Sequence, residues 1–554
     1  MNLTLHRAVD SLMSEKYLLN DLAMQRFIAD GYLQIDSELS KDYHERVFRQ
    51  LEPLSETGLM GHNNLLPCAP LLQDLIESPT VKGALESLLG PDYYLHFHRH
   101  DHRTLPGGEQ GLHKDGDNHS HQAIDHLKRP HPTRYVMMFY YPQDTTLDMG
   151  PTCVVPQSQY LPRREVEQTR AEFDRLSRAG LNKIRDQLLA KTMTPQESEK
   201  AVKAVYKETA EKHPELAKKN KTLEKLWKDK RVPLVGPAGT LVFVHFDIVH
   251  ARYSSNELGL PRHMVKFLFT RNNDPVKPSW NHADPRWKQE DSSVSSEIMK
   301  PVWLDLWNWH LGNKQSNENT ITSVKSLCDR LKDSNDELAV SAAYELAKSD
   351  EGLEFLIEIF NSDDTNLRSI AAYGLRAARQ RSLDYLAPLI DKEDPQKVAR
   401  VIDVLGDIGP PADSLLEPVI KVASSQSVVV RRYAVEAVGL IAQQQVKCSR
   451  ALIEQLENAL KDEDAIVRRN GAFSIAQLGN KVCSELVVDG LIENLQDWHH
   501  HVRGWSIEAL QRLNNERALK AAIKYLNHTR WDAYPKGGDR TVTDQVMRLE
   551  DPVR

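Results

Sequence analysis

The sequence predicts a multidomain chain: an all-β core with flanking helices, followed by an all-α array of repeats. Three observations predict it. At 554 residues the chain exceeds what one hydrophobic core organises, so two or three domains are expected. Between residues 31 and 271, short runs of β-branched and aromatic residues are bounded by Gly, Pro and Asp, which is the pattern of strands. From about residue 338 onward a self-similar apolar pattern recurs to residue 510, the mark of a repeat architecture.

Taken in order, residues 1–90 read as mostly helical. Leu22, Met24, Phe27 and Ile28 share a helical face, and Asp30-Gly31 turns the chain into a short strand, Tyr32 to Ile35. Tyr93 to Arg103 is a strand in which His96, His98, His100 and His102 have one parity. Three readings of that stripe stand side by side: a cavity lining, a solvent-facing polar face, or a second metal site. A Pro106-Gly107-Gly108 loop precedes Gly111-Leu112-His113-Lys114-Asp115-Gly116-Asp117. Further strands are expected at Arg134–Tyr141, within Asp148–Gln159, at Arg231–Val235, as one run from Gly239 to His250, and over Arg262–Arg271.

The stretch from Gly111 to Asp117 organises the first half. On an extended strand residues i and i+2 face the same way, so His113 and Asp115 can enter one cavity. With a distant third ligand, His250, they make a facial set that leaves positions open and suits non-haem Fe(II). Asp117 has the same parity and is the alternative carboxylate. His119, His121, His126 and His131 follow in a polar, loop-like stretch, but only His113 has the i+2 relation to Asp115.

The order of these elements, with Phe27-x-x-Asp30-Gly31-Tyr32 at the front, resembles the phytanoyl-CoA dioxygenase family over roughly residues 20–285. That resemblance implies a double-stranded β-helix (jelly-roll) core. It also implies Fe(II), 2-oxoglutarate and O2 as cofactor and cosubstrates, and hydroxylation of a small molecule with release of succinate and CO2. His113, Asp115 and His250 are then the metal-binding and catalytic set. The carboxylate at Asp115 points to hydroxylation, since halogenating relatives lack it. The family's 2-oxoglutarate arginine lies eleven residues past the distal histidine. Here that place is Pro261, and Arg262 follows it, while Asn256 looks displaced by one in the same sense. Arg252 stands where the family has a small hydroxyl residue and is a rival anchor; Arg271 is a remoter one. His98 and His100 fall where the family places polar cavity contacts, with His100 read as cofactor-binding.

Residues 163–231 interrupt the strands as a helical insertion with 19 Lys/Arg against 12 Asp/Glu. Such an insertion either covers the mouth or side of the site and draws in anionic substrates, or is a solvated hairpin. Thr194-Pro195-Gln196-Glu197 reads as a capping box. The Trp-rich stretch 280–310 is expected to pack the first unit against the repeats. This gives an oxygenase unit 1–312, a linker 313–322, a repeat unit 323–528 and a tail 529–554. Leu346, Leu375, Leu405, Val438, Ile475 and Leu510 occupy equivalent repeat positions 29 to 37 residues apart, and the region resembles a HEAT-repeat solenoid of about six helix pairs. It holds no His-Glu pair, so no chemistry is assigned to it. A partner protein, a second copy or a tethered substrate along its concave side is expected, or else simple support of the first unit.

Two further readings compete with the small-molecule hydroxylase. One is a protein hydroxylase whose repeats hold a polypeptide; the other is a non-catalytic scaffold with a degenerate barrel. A formal charge of −7 gives no reason to expect nucleic acid. Five scattered cysteines form no CxxC, which points to a reducing compartment. The first residues lack a basic-then-apolar leader, and no apolar stretch approaches the roughly 18 residues of a membrane span, so a cytoplasmic enzyme is expected.

Overall fold

The computed structural model describes residues 15–57, 65–104, 110–115, 131–288, 297–312 and 323–529. The Pro106-Gly107-Gly108 loop, Asp117, His119, His121, His126, the linker, all but the first residue of the tail and the His98 side chain lie outside the described residues.

Among the described residues there are eight strands: β1 (Tyr32–Asp36), β2 (Tyr93–Asp101), β3 (Tyr135–Tyr140), β4 (Thr152–Val155), β5 (Val232–Pro233), β6 (Thr240–His245), β7 (Val249–Arg252) and β8 (Val265–Arg271). They form a five-stranded sheet in the order β1-β6-β3-β8-β2 and a three-stranded sheet in the order β5-β4-β7. Every pairing is antiparallel. Met137, Phe139, Val242, Val244 and Leu268 of the large sheet meet Val154, Leu234 and Ile248 from the side of the small one. The other face of the large sheet, with Val136, Met138, Phe243, Phe267 and Phe269, packs on helices. Burial on both faces is why β3 reads as an unbroken apolar run and not as an alternation.

The run from Gly239 to His250 is not one strand. Ile248 N–H donates to His245 O at 3.0 Å, and the chain turns there from the large sheet into the small one. Asp247, a poor strand former in an otherwise apolar run, marks the place. The turn puts His250 on the small sheet, facing the interior from across the barrel.

The second half stacks helices. An inner row comprises Asp336–Leu346, Thr365–Ala378, Pro395–Ile408, Val428–Ile441, Ala465–Leu478 and His500–Arg512. Asn335, Asp364, Asp394 and Asp464 cap four of these through their side chains. Successive repeats are tied by Arg431 to Asp462 at 2.8 Å and Arg468 to Asp497 at 2.7 Å. Leu346, Leu375, Leu405, Val438, Ile475 and Leu510 are all fully buried.

The inner row does not offer an open surface along its length; the β-sheet unit lies on it. His131 Nδ1 bonds to the Tyr344 hydroxyl at 2.7 Å, and its ring stacks on Tyr373 with centroids 3.9 Å apart. Arg134 lies between Asp274 at 3.5 Å and Asp407 at 3.6 Å. His96 and Phe97 pack on Trp505, and Arg512 pairs with Asp92 at 2.8 Å. One hydrophobic cluster runs without a break from Met24 through Phe267 and Trp307 to Ala522. The expected partner surface is therefore, at these contacts, an intramolecular one. The Trp-rich helix Lys300–His310 sits in the same junction. Trp280 and Trp307 lie 5.3 Å apart, and Asp305 receives hydrogen bonds from Arg376 at 2.7 Å and Arg379 at 3.3 Å.

The insertion forms helices Arg164–Leu189, Pro195–Lys212 and Pro214–Lys228, and the Thr194 capping box is present. Its Trp227 packs against the outer side of the small sheet, beside Cys153 and Val249, and Arg164 reaches Asp336 of the first inner helix at 2.5 Å. No helix among the described residues is long and apolar enough to cross a membrane.

Candidate metal centre

The site begins with one backbone rung. His113 N–H donates to His250 O at 3.1 Å, and His250 N–H donates to His113 O at 2.9 Å. His113 thus adds to the free edge of β7 as an isolated antiparallel bridge. Residues directly opposite in such a rung project to the same side, and the two imidazole centroids lie 4.5 Å apart. His250 also pairs with Val154 and lies near Phe139, so that side is the barrel interior.

Each ring is oriented by its own chain. His113 Nδ1 bonds to Gly111 O at 2.9 Å, and His250 Nδ1 bonds to Ile248 O at 3.1 Å. A carbonyl only accepts, so each Nδ1 carries a proton, and it is the Nε2 of each ring that can offer a lone pair to a metal. Both Nε2 atoms point at one carboxylate: Asp115 Oδ1 is 3.8 Å from His113 and Asp115 Oδ2 is 3.7 Å from His250. Burial pushes the His250 imidazole down to about 4, so it is neutral, the form a metal needs. The ligand atoms of these three residues lie within 4.8 Å of one another. Two neutral nitrogens and one carboxylate on one side of a cavity fit a divalent metal with open positions. The sequence put Asp115 on a strand with His113; in the structure Asp115 lies in a turn just after the bridge.

Beyond this group β8 continues the site. Its register with β2 and the chain after it sets His100 opposite Lys266, His102 N–H on Met264 O at 2.9 Å, and Thr104 opposite Arg262. Arg262 is 2% exposed. Among the described residues it makes one hydrogen bond, Nη2 to Thr104 Oγ1 at 2.8 Å, while Nε and Nη1 are buried with no partner. A buried planar fork with idle donors fits the far carboxylate of a dicarboxylate cosubstrate. Burial depresses Arg262, and the nearby Arg252 charge adds to this; the Arg252 backbone N–H donates to Gln110 Oε1 at 3.3 Å. Asn256 bonds through Nδ2 to Leu260 O at 2.6 Å and so shapes the loop into Arg262. Arg271 is engaged elsewhere, donating to Leu88 O and Thr133 O at 2.7 and 3.0 Å.

The histidine stripe divides. A register shift between Leu95 and Arg99 breaks the parity of β2. His100 and His102 remain beside the cavity with rings 4.4 Å apart, whereas His96 is turned to Trp505 and His501 of the helical unit. His102 is half-buried, and among the described residues its buried Nε2 has no hydrogen-bond partner. One residue was missed from sequence. Lys266 is 4% exposed, and its Nζ lies 2.6 Å from Asp115 Oδ2. The available signal was parity: Lys266 falls in step with Met264 and Leu268, both of which face the barrel interior.

With this geometry in hand, residues 41–255 match the model of the phytanoyl-CoA dioxygenase family, and residues 451–534 match that of HEAT repeats. The first match contains His113, Asp115 and His250 and ends before Arg262. The chain therefore carries a phytanoyl-CoA dioxygenase family domain and HEAT repeats. No curated protein matches the sequence. Solved structures that align with it include the non-heme alpha ketoglutarate dependent carbocyclase SnoK from nogalamycin biosynthesis. It has 16% identity and a TM-score of 0.29, over 46% of this chain and 85% of that one. The nickel complex of the non-heme monooxygenase ThoJ aligns at 14% identity and TM-score 0.28, over 49% and 90%. EctD from S. alaskensis with bound Fe aligns at 15% and 0.28, over 49% and 84%.

Proposed function

We propose that the protein is an Fe(II)- and 2-oxoglutarate-dependent dioxygenase that hydroxylates a small molecule, with release of succinate and CO2. The observation that carries the reading is the convergence of His113 Nε2, His250 Nε2 and the Asp115 carboxylate, with both Nδ1 atoms tied to backbone carbonyls. Fe(II), when bound there with 2-oxoglutarate and O2, supplies the oxidising chemistry. The chain supplies the rest. His113 and His250 hold their lone pairs in fixed directions, and Asp115 supplies the negative charge. Arg262 pairs with the cosubstrate's far carboxylate, with Arg252 as the rival. His100 and His102 border the cavity, and the apolar barrel interior excludes water.

A small molecule is favoured over a polypeptide because the inner helical row, where a polypeptide would lie, carries the chain's own β-sheet unit. We take residues 1–312 as the oxygenase unit with its insertion at 163–231. The linker is 313–322, the repeat unit 323–528 and the tail 529–554.

The test is metal uptake. Wild-type protein should bind one Co(II), read by its visible absorption, and release succinate under Fe(II), 2-oxoglutarate and O2. Asp115→Ala should lose both while keeping its circular dichroism. Unchanged Co(II) stoichiometry in that variant sinks the ligand assignment and moves attention to Asp117.

A further inference from the structure

Lys266 is the observation left over from the metal centre. Its side chain is inside the barrel, in step along β8 with Met264 and Arg262. The three rungs His100–Lys266, His102–Met264 and Thr104–Arg262 form one ladder. Arg262 stands at the end assigned to the cosubstrate carboxylate, and Lys266 stands two rungs away, at the end that touches Asp115. Among the described residues Asp115 is the hydrogen-bond and ion-pair partner of Lys266, at 2.6 Å.

A divalent metal held by Asp115 draws on the negative charge that balances this ammonium. The ammonium stays buried at the metal's edge, and a buried cation without an anion is strongly unfavourable. His100, directly across the rung, is an imidazole and brings no formal negative charge. Among the described residues no second carboxylate bonds to Lys266, which leaves the substrate side of the ladder to an anionic ligand.

We propose that Lys266 is a specificity-determining residue that pairs with an anionic oxygen group, carboxylate or phosphate, on the molecule to be oxidised; this rests on the metal-centre reading above. The basic insertion at 163–231, with its excess of Lys and Arg, favours the approach of such a molecule.

The experiment uses the full chain loaded with Co(II) and the 2-oxoglutarate analogue N-oxalylglycine, so that no turnover is needed. The probes are small carboxylic acids, each paired with its carboxamide, and phosphate monoesters paired with the parent alcohols. Binding is read from the Co(II) absorption and from thermal shift. Wild type should prefer the charged member of a pair by roughly thirtyfold or more, the loss expected when a buried charge pair is broken. Lys266→Met should erase the preference and bind Co(II) at least as well, because a neighbouring cation has been removed; Lys266→Arg should keep part of the preference. The proposal is overturned if neutral members bind as well as charged ones, or if Lys266→Met keeps the preference. It is also overturned if Lys266→Met loses Co(II), since Lys266 would then serve to position Asp115. Failure of wild-type protein to bind Co(II) at all would overturn the metal-centre reading itself, and this inference with it.

Discussion

Replacing Arg262 should move cosubstrate affinity and apoprotein stability in opposite directions. Its guanidinium is 2% exposed and bonded only to the Thr104 hydroxyl; Nε and Nη1 are idle. Burial lowers its proton affinity, only partly offset by nearby Tyr141 and Asp101, and among the described residues no carboxylate is bonded to it. A charge in that condition is held at a cost that only a ligand recovers. Arg262→Ala removes the bidentate partner of a desolvated carboxylate, a loss of about 2–5 kcal/mol. That corresponds to roughly thirtyfold to several-thousandfold weaker 2-oxoglutarate binding. Arg262→Met, which fills the space without the charge, should raise apoprotein stability by about 0.5–2 kcal/mol, as relief of a strained functional site commonly does. The assays are calorimetric titration of N-oxalylglycine into Co(II)-loaded protein, and thermal melts of the apoprotein. If Arg252→Ala, and not Arg262→Ala, abolishes binding, Arg262 is not the anchor. If Arg262→Met lowers the melting temperature, the argument from idle donors fails.

Buried charges elsewhere lead to three more expected outcomes. Asp305→Ala leaves Arg376 and Arg379 buried without their carboxylate and should cost about 3–5 kcal/mol in denaturant titration, whereas adding Asp305→Leu, Arg376→Met and Arg379→Met together should recover most of it. Burial pulls the His263 imidazole down, but hydrogen bonds to Asp101 and Glu52 outweigh this and its net displacement is upward. Its contribution is therefore complete below the unfolded value of about 6.5 and is lost as pH rises through the folded value, so His263→Gln should flatten the stability profile on that alkaline side. Burial pushes His96 down to about 3 and His499 down to about 4. Their stability contribution is present above about pH 6.5 and is lost as pH falls toward those folded values, so acid should loosen the contact between β2 and helix His500–Arg512 first. Trp505 fluorescence would report it, and His96→Leu should delay it; an unchanged acid midpoint in that variant would show that the contact does not depend on this imidazole.

What the sequence disclosed was local. The His113–Asp115 spacing, the β-branched run ending at His250 and the recurring apolar residues of the repeats are each visible within a short stretch of the chain. What it hid needed a second element. Parity in β2 fails at the irregularity between Leu95 and Arg99, so His96 could not be separated from His100 by counting. The apolar run from Gly239 gave no warning, apart from Asp247, that it serves two sheets. Lys266 looked like an ordinary strand lysine, since its partner lies 151 residues earlier in the chain.

The same limit applies to the repeats, and there it changes what they are for. Periodicity shows that each repeat needs neighbours, but not what lies on the inner row. Here the row is met by side chains of the β-sheet unit, and several of those contacts belong to elements that carry the candidate metal centre. β2 presents Tyr94 to Trp505 at one end and His100 to the cavity at the other. β3, on which His131 and Arg134 converge from the chain just before it, is bonded along its length to β8, the strand of Lys266. The helices thus brace β2 directly and β8 through β3, and the β2–β8 register sets the ladder from Arg262 to Lys266. A substitution such as Trp505→Ala, with no atom near the metal, removes a fully buried ring from that brace and opens a cavity beneath β2. The repeats need no chemistry of their own to bear on the candidate site, since they hold the sheet on which it is built.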